Sequence, residues 1–309
     1  MNYQLLANLE NWLGQQIVGQ QDLIHKLMLA LLANGHLLVE GAPGLAKTRA
    51  IKEMAEGIEG SFHRIQFTPD LLPGDITGTD IFRPQTGAFE FQQGPIFNNL
   101  VLADEINRAP AKVQSALLEA MAERQVSIGS QTYELPALFL VMATQNPIEQ
   151  EGTYPLPEAQ LDRFLMHVRV SYPDAGAEQA ILRLARSEAG GTHSRPEGTV
   201  SQADIFSARK AMLDIHMAPA VEEYIIQLIV GTREPDHYDS ELAGWLEYGA
   251  SPRATIALDR CARANAWIAG RDYVSPDDVQ AVACRQGRAE RPFRGEYGCA
   301  RLHVAPRCA

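Results

Sequence analysis

The sequence predicts an α/β fold, with a parallel sheet of five strands flanked by helices, followed by a small all-helical domain. Strand-like and helix-like segments alternate over the first half of the chain, which is typical of a parallel sheet covered on both faces. Strand signals then disappear, and helical spacing dominates. Because 309 residues suit two domains of ordinary size, we predict an α/β domain over residues 1–172 and a helical domain over residues 173–284.

The strands of the predicted sheet are short apolar segments. They lie at residues 36–40, 62–67, 99–104, 137–144 and 167–170. The segments between them carry apolar residues at helical spacing. These helices are predicted at residues 20–33, at residues 48–58, and after Pro110, which suits a first turn.

Two hairpins interrupt the alternation of strands and helices. One is predicted near residues 81–97, around Thr86-Gly87, and the other near residues 125–135, around Gly129-Ser130. Their tips are too polar for core strands. We therefore expect both to protrude from the domain, where such segments often carry function.

Serine and proline mark the helix starts of the second domain. Ser201 suits an N-cap, and Ser251-Pro252 and Ser275-Pro276 each pair an N-cap residue with a first-turn proline. Gly270 is placed to end the helix that Ser251 begins. Residues 285–309 show no helical period, so we predict an irregular tail.

Composition and charge narrow the class of protein. The net charge is −11, which disfavours nucleic acid and anionic membrane surfaces as partners. The apolar stretch at residues 137–143 is far shorter than the about 20 residues that spanning a bilayer takes, so no membrane insertion is expected. The four cysteines include no C-x-x-C pair, which indicates reduced thiols and a cytoplasmic location.

A glycine-rich loop between the first strand and the next helix carries the clearest chemistry. It has the pattern G-x-x-x-x-G-K-[ST] and consists of Gly41, Ala42, Pro43, Gly44, Leu45, Ala46, Lys47 and Thr48. A loop of this pattern binds nucleotide phosphates: Lys47 reaches the terminal phosphates and the Thr48 hydroxyl ligates Mg²⁺. Ala46 stands where glycine is usual, and we expect it to fit with a negative φ.

Two later strands end in polar residues. The third ends in Asp104-Glu105, where Asp104 is expected to hold the Mg²⁺ shell and Glu105 to activate the attacking water. The fourth is followed by Gln145-Asn146-Pro147. This segment suits either contact with a γ-phosphate or an ordinary Asn-Pro turn, and spacing leaves both open.

Four motifs together resemble the MoxR family of AAA+ ATPases. They lie at residues 41–48, 104–110, 143–147 and 156–164, in the order of that family. The resemblance extends from about residue 17 to about residue 282. Family members commonly carry alanine at the position of Ala46, so the departure is typical of the family.

The resemblance implies roles for further residues. Asn146 would be the sensor that positions the hydrolytic water, and Arg163 an arginine finger reaching the γ-phosphate of a neighbouring subunit. Arg253 would be a second sensor on the helical lid, and Val18 and Gly19 would border the adenine. The hairpins would match the helix-2 insert and the pre-sensor hairpin of this branch. Without the family context, Arg163 suits a surface ion pair with Asp162 or a nearby carboxylate.

The resemblance also implies partners. ATP and Mg²⁺ would bind between subunits of a hexameric ring, which would remodel a protein client, often beside a protein with a von Willebrand A domain. Two alternatives stay open: a nucleotide-gated scaffold that hydrolyses slowly, and a DNA-acting motor or metal-chelatase subunit of the same branch. The tail departs from the family, by natural divergence or by a reading-frame change near Cys284.

Overall fold

The computed structural model describes residues 3–147, 152–191, 196, 198–238, 243–244, 246 and 248–283. The strands of this part are β1 Leu37–Gly41, β2 Phe62–Gln66, β3 Gly78–Arg83, β4 Ala88–Gln93, β5 Leu100–Asp104, β6 Gln125–Ile128, β7 Gln131–Glu134, β8 Leu140–Gln145 and β9 Met166–Val170. The predicted five-stranded parallel sheet is confirmed, with the order β2-β5-β8-β1-β9.

Helices surround the sheet and make up most of the chain after it. They are α1 Tyr3–Gln16, α2 Gln21–Leu32, α3 Lys47–Gly57, α4 Pro73–Thr77, α5 Ala111–Glu123, α6 Glu158–Leu161, α7 Ala175–Ala189, α8 Gln202–Leu213, α9 Pro219–Arg233, α10 Pro252–Ile268 and α11 Pro276–Ala283. Strands give way to helices between β9 and α7. The domain limits at residues 172 and 284 stay a prediction. None of the described helices is long and apolar enough to cross a membrane.

Alternation of side chains along the strands builds two cores, one on each face of the sheet. Leu37 and Val39 of β1 join the cluster formed with α1, α2 and α3, whereas Leu38 joins the cluster formed with α5. Neighbouring residues of a strand point to opposite faces, so a strand buried on both sides is apolar throughout. This explains why these segments read as continuous apolar runs.

Because the strands are parallel, the loops that follow them lie at the same edge of the sheet. The carboxyl ends of β1, β5 and β8 meet at one edge, because these strands are neighbours in register. Gly41, Asp104 and Gln145 end those strands. We call this edge the carboxyl edge. The glycine-rich loop and the polar strand ends both lie there.

The structure corrects two predicted boundaries. The strand predicted at residues 137–144 begins at Leu140. Leu138 and Phe139 are fully buried but lie outside the sheet pairing, so burial rather than strand pairing caused their apolar pattern. The Leu138 carbonyl instead accepts a hydrogen bond from the Asn99 side chain at 2.9 Å.

The first hairpin also differs from its prediction. It pairs Gly78–Arg83 with Ala88–Gln93 rather than spanning residues 81–97. At Gly94 the backbone comes so near Ile76 that an added Cβ would lie 2.2 Å from the Ile76 carbonyl oxygen. The chain then turns into a short 3₁₀ helix at Pro95–Phe97, which ends the pairing. The second hairpin lies where it was predicted.

The helical part begins its helices as predicted. The hydroxyls of Ser201, Ser251 and Ser275 accept hydrogen bonds from the backbone N–H groups of Asp204, Arg253 and Asp278, at 3.1, 3.1 and 3.4 Å. Gly270, with a φ of +72°, follows the end of α10. A third apolar core lies between α9, α10 and α11.

Of the four cysteines, Cys261 is the one that lies among the described residues. Cys261 is a buried free thiol, and burial raises its pKa to about 12, which makes the thiol inert. Cys284, Cys299, Cys308 and the predicted tail at residues 285–309 lie outside the described residues.

Candidate functional site

The glycine-rich loop links the end of β1 to the start of α3. A Cβ at Gly41 would lie 2.8 Å from the Val170 carbonyl oxygen, so β9 leaves no room for a side chain there. Gly44 has a φ of +84°, which favours glycine. The loop ends where α3 begins at Lys47, and helix N-termini favour anions. Loop shape and helix position together suit a phosphate group.

Ala46 adopts the left-handed conformation, with a φ of +57° and a ψ of +15°. The expected negative φ is therefore wrong. The Ala46 carbonyl accepts the hydrogen bond of the Ala50 N–H at 2.9 Å, so the chain must turn at Ala46 directly before α3 starts. A residue with a Cβ pays roughly 1–2 kcal/mol in this region, and alanine has the smallest such group.

Lys47 is buried at the carboxyl edge. Its ammonium group donates to the carbonyls of Gly41 and Gln145, the second at 3.5 Å. Burial lowers the pKa of Lys47, and the charges of Asp104, Glu105 and Glu40 oppose that shift. The lysine thus lies among the ends of β1, β5 and β8. An ammonium held by carbonyl oxygens can pass its hydrogen bonds to phosphate oxygens.

Asp104 ends β5 and is held on both sides. The Thr144 hydroxyl donates to Oδ1 at 2.6 Å. On the other side, the Arg64 guanidinium donates to Oδ2 through Nε at 3.1 Å and Nη2 at 2.7 Å. Asp104 is buried, so these bonds fix the direction of its carboxylate.

Glu105 has a left-handed backbone and a fixed side chain. Its φ is +57°. Its Oε2 accepts a hydrogen bond from Gln66 Nε2 at 2.8 Å and lies 3.1 Å from Arg108 Nε. The carboxylate therefore rests against β2 and Arg108.

No role for Arg64, Gln66 or Thr144 was predicted from the sequence. Arg64 and Gln66 are two residues apart on β2 and so share one face. They stand beside Asp104 and Glu105 because β2 pairs with β5. The one signal in the sequence was that these residues are polar although they lie in a strand. Their position beside Asp104 and Glu105 depends on the order of the strands, which cannot be predicted from the sequence.

The oxygen donors fit a magnesium ion. Thr48 lies in the first turn of α3, and Asp104 lies at the end of the sheet near Lys47. Mg²⁺ is usually held by one or two carboxylates together with waters and substrate phosphates. In the described part of the chain, no group of three or more His, Cys, Asp or Glu residues could hold a metal alone.

The other residues predicted for the nucleotide lie at the same edge. Asn146 follows β8 directly and is buried. Gly19 packs against the start of α7, since its Cβ would lie 3.0 Å from Ala177 Cβ. Its neighbour Gln20 donates to the Ser171 carbonyl at 3.1 Å. Val18 and Gly19 thus lie near the end of β9. This strand pairs with β1, which leads into the glycine-rich loop.

Arg163 and Arg253 lie at the opposite edge of the sheet, the amino edge. Arg163 donates to the Leu118 carbonyl at 2.8 Å. Two residues later, the Leu165 N–H donates to the His36 carbonyl, which places this segment at the amino end of β1. Asp162 pairs with Arg253 at 3.0 Å rather than with Arg163.

A cleft surrounds these two arginines. Its volume is about 640 Å³, and it runs between the residues around His36 and the start of α10. Four arginines line it: Arg124, Arg163, Arg253 and Arg260. Glu158 and Asp162 also line the cleft, so the four arginines leave an excess of positive charge, which suits an anionic group.

Two family models match this chain, one in each of its two parts. The model described as "ATPase family associated with various cellular activities (AAA)" matches residues 36–166. The model described as "AAA lid domain" matches residues 243–284.

Individual relatives match over most of the chain. It is 47% identical to "Chaperone MoxR1" of Mycobacterium tuberculosis over 86% of this chain and 70% of that protein. It is 33% identical to "Protein MoxR" of Methylorubrum extorquens over 89% of this chain and 84% of that protein. A crystal structure from Cytophaga hutchinsonii, described as a candidate ATPase, is 46% identical and has a TM-score of 0.83, covering 91% of this chain and 85% of its own.

Proposed function

This chain belongs to the MoxR family of AAA+ ATPases, and we propose that it hydrolyses ATP with Mg²⁺ at sites shared between identical subunits. One observation carries the proposal: the candidate residues divide between the two edges of the sheet. Lys47 and Asp104 lie at the carboxyl edge, whereas Arg163 lies at the amino edge. β1 has five residues, so the edges are about 16 Å apart. A single γ-phosphate therefore cannot contact both Lys47 and Arg163 of one copy.

The carboxyl edge would bind the nucleotide. The loop from Gly41 to Thr48 would hold the phosphates, with the Lys47 ammonium on the terminal ones. Thr48 and Asp104 would hold Mg²⁺, which supplies charge neutralisation on the phosphate oxygens when bound. Val18 and Gly19 would border the adenine.

Glu105 would activate the attacking water, and Asn146 would position it. A carboxylate at the end of β5 accepts the water's proton as the water attacks, and an amide at the end of β8 fixes its position. In the resting geometry Glu105 bonds to Gln66 and Arg108. Glu105 must therefore leave β2 before it acts, which favours low turnover in an isolated subunit.

Arg163 and Arg253 would complete the site of a neighbouring copy. Both line the cleft at the amino edge, where positive charge can meet the γ-phosphate held by the next subunit. An arginine supplied by a neighbour can raise turnover by about 10³–10⁵-fold. A closed ring, with six subunits as in our expectation from the family, repeats this contact at every interface.

We also propose a chaperone-like role on a protein client, together with a partner that has a von Willebrand A domain. The relative from Mycobacterium tuberculosis is named a chaperone. Two contacts support the transfer of motion. Arg49, next to Thr48, donates to Glu188 of α7 at 3.1 Å, which ties the nucleotide loop to the lid. Phe91 stacks on Tyr133 at 4.0 Å, which ties the two hairpins together.

Replacing Glu105 by glutamine tests the proposed hydrolysis. Glutamine keeps the shape but cannot accept the proton, so steady-state ATPase should fall by about 10²-fold or more while nucleotide binding persists. Glu119→Gln, on the exposed face of α5, is the matched control and should keep its activity. Unchanged turnover in Glu105→Gln contradicts the mechanism.

A nucleotide-gated scaffold is the second candidate, favoured by the contacts that hold Glu105 against β2. Turnover at high protein concentration separates the two. A shared-site ATPase becomes more active per subunit as copies assemble, whereas a scaffold stays slow at every concentration.

A further inference from the structure

A buried hydroxyl bridges the two carboxylate residues of the carboxyl edge. Thr144 Oγ1 donates to Asp104 Oδ1 at 2.6 Å and accepts the Glu105 backbone N–H at 2.9 Å. The residue is 1% exposed, so no water competes for either bond. One side chain of β8 thus touches both the side chain of one acid and the backbone of the other.

The second bond matters because Glu105 is in an uncommon conformation. Its φ is +57° and its ψ is +49°, a region that costs a residue with a side chain about 1–2 kcal/mol. Such conformations persist where surrounding contacts hold them. The Thr144 hydroxyl is the contact that holds the Glu105 N–H, and the left-handed turn sets where the Glu105 side chain starts.

The first bond orients Asp104. With Oδ1 bound to Thr144 and Oδ2 bound to Arg64, the carboxylate is held at both oxygens. These contacts differ in kind. Arg64 is half-exposed and carries a charge, whereas the Thr144 hydroxyl is buried and neutral.

We propose that Thr144 is a positioning residue that sets the relative placement of the Asp104 carboxylate and the Glu105 side chain through one hydroxyl. This inference rests on the proposed Mg²⁺-dependent ATPase. Thr144 touches no reacting atom, so its effect is expected on the chemical step more than on ATP affinity. A displacement of about 1 Å in such a group can cost about 10²-fold in rate.

The test compares Thr144→Val, which keeps the shape and removes the hydroxyl, with Thr144→Ser, which keeps the hydroxyl. In Thr144→Val, kcat should fall about tenfold or more, whereas KM at saturating Mg²⁺ should rise by a smaller factor, and Thr144→Ser should restore most of the loss. Thr77→Val is the control, because it also removes a buried threonine hydroxyl, whose bond to the Pro73 carbonyl lies outside the site. If Thr144→Val does not fold, Thr144→Ala takes its place.

A second measurement avoids activity altogether. A non-hydrolysable ATP analogue is added with Mg²⁺ or with EDTA, and the rise in Tm due to Mg²⁺ is compared between variants. This rise should shrink in Thr144→Val and persist in Thr144→Ser and Thr77→Val, because Asp104 loses its orientation in the first variant alone.

The outcomes separate the two levels of the proposal. If the wild type shows no magnesium-dependent turnover, the proposed function fails. If the wild type is active and Thr144→Val matches it in kcat and in the Mg²⁺-dependent Tm rise, the positioning role alone is overturned. Equal impairment of the serine and valine variants also overturns it, because the hydroxyl would then not be the cause.

Discussion

Left-handed residues other than glycine mark both edges of the sheet. Among the described residues they are Asn34, Ala46, Glu105 and Arg124. Ala46 and Glu105 lie at the carboxyl edge, and Asn34 and Arg124 line the arginine cleft. Strained backbone persists where the structure holds it for a purpose. At the scale of single residues, strain is concentrated at the two halves of the proposed shared site.

Substitution of Ala46 tests this strain. Ala46→Gly should raise the free energy of unfolding by about 1 kcal/mol or less, since relief of the left-handed Cβ is partly offset by the greater freedom of glycine in the unfolded chain. Ala46→Val should lower it, because β-branched residues resist positive φ. Urea denaturation gives both values. Ala50→Gly, in the buried part of α3, is the control and should destabilise. A stability loss in Ala46→Gly would contradict the strain argument.

At the scale of elements, the start of α10 connects a helix cap to the arginine cleft. The Ser251 hydroxyl accepts the Arg253 N–H at 3.1 Å and donates to Asp162 Oδ1 at 2.6 Å. Asp162 in turn pairs with Arg253. One serine therefore holds both the helix end and the carboxylate that aligns the arginine.

Loss of this cap should affect both stability and activity. Ser251→Ala should cost about 1 kcal/mol of stability and also lower ATPase, because Asp162 and Arg253 lose their shared contact. Ser201→Ala removes a cap of the same kind at α8, away from the cleft, and serves as the control. Equal ATPase in the two variants would show that Ser251 is only a cap.

The elements show which features a sequence can predict. Features that depend on neighbouring residues were predictable. They are the loop before Lys47 and the helix caps at Ser201, Ser251 and Ser275. The pairing of Arg64 with Asp104 was not, since it depends on β2 lying beside β5, a contact between distant parts of the chain. The φ of Ala46 was missed because the family pattern shows that alanine is tolerated and not in which conformation.

His25 joins four helices of both parts of the chain. Its Nδ1 lies 2.7 Å from Glu10 Oε1 of α1, and its Nε2 lies 2.8 Å from Asn265 Oδ1 of α10. Asn265 must present its oxygen to His25, because its amide nitrogen donates to Asp278 of α11. Both ring nitrogens therefore face acceptors, which favours the protonated ring.

The charge of His25 predicts a pH dependence. Burial lowers its pKa, but the hydrogen bonds to Glu10 and Asn265 and the charges of Glu10 and Asp22 raise it more, so the net shift is upward from 6.5. A raised pKa stabilises the fold fully below 6.5, and this contribution is lost as pH rises through the folded value.

Melting temperatures across pH measure this contribution. The Tm difference between wild type and His25→Gln should be largest near pH 6 and shrink in alkaline buffer. Glu10→Gln, which removes the negative charge beside Nδ1, should flatten the same profile. A difference that grows with pH would contradict the assignment of a protonated His25.

At the scale of the whole molecule, the proposed site would be divided between two copies of the chain. The Lys47 edge faces one way along the sheet and the Arg163 edge faces the other, so each copy would offer one half of the site to each of two neighbours. Head-to-tail contacts of this kind close into rings when the rotation between copies allows it. Activity should therefore belong to the interface and not to the single chain.

Mixing two inactive variants tests the shared site most directly. Lys47→Ala removes the phosphate contact, and Arg163→Ala removes the contribution to the neighbour, so each variant alone should be inactive. In mixed assemblies some interfaces join an intact Lys47 edge to an intact Arg163 edge. If the site is shared, ATPase should return on mixing and depend on the ratio of the two variants. Assemblies shown to contain both variants, yet inactive at every ratio, would contradict it.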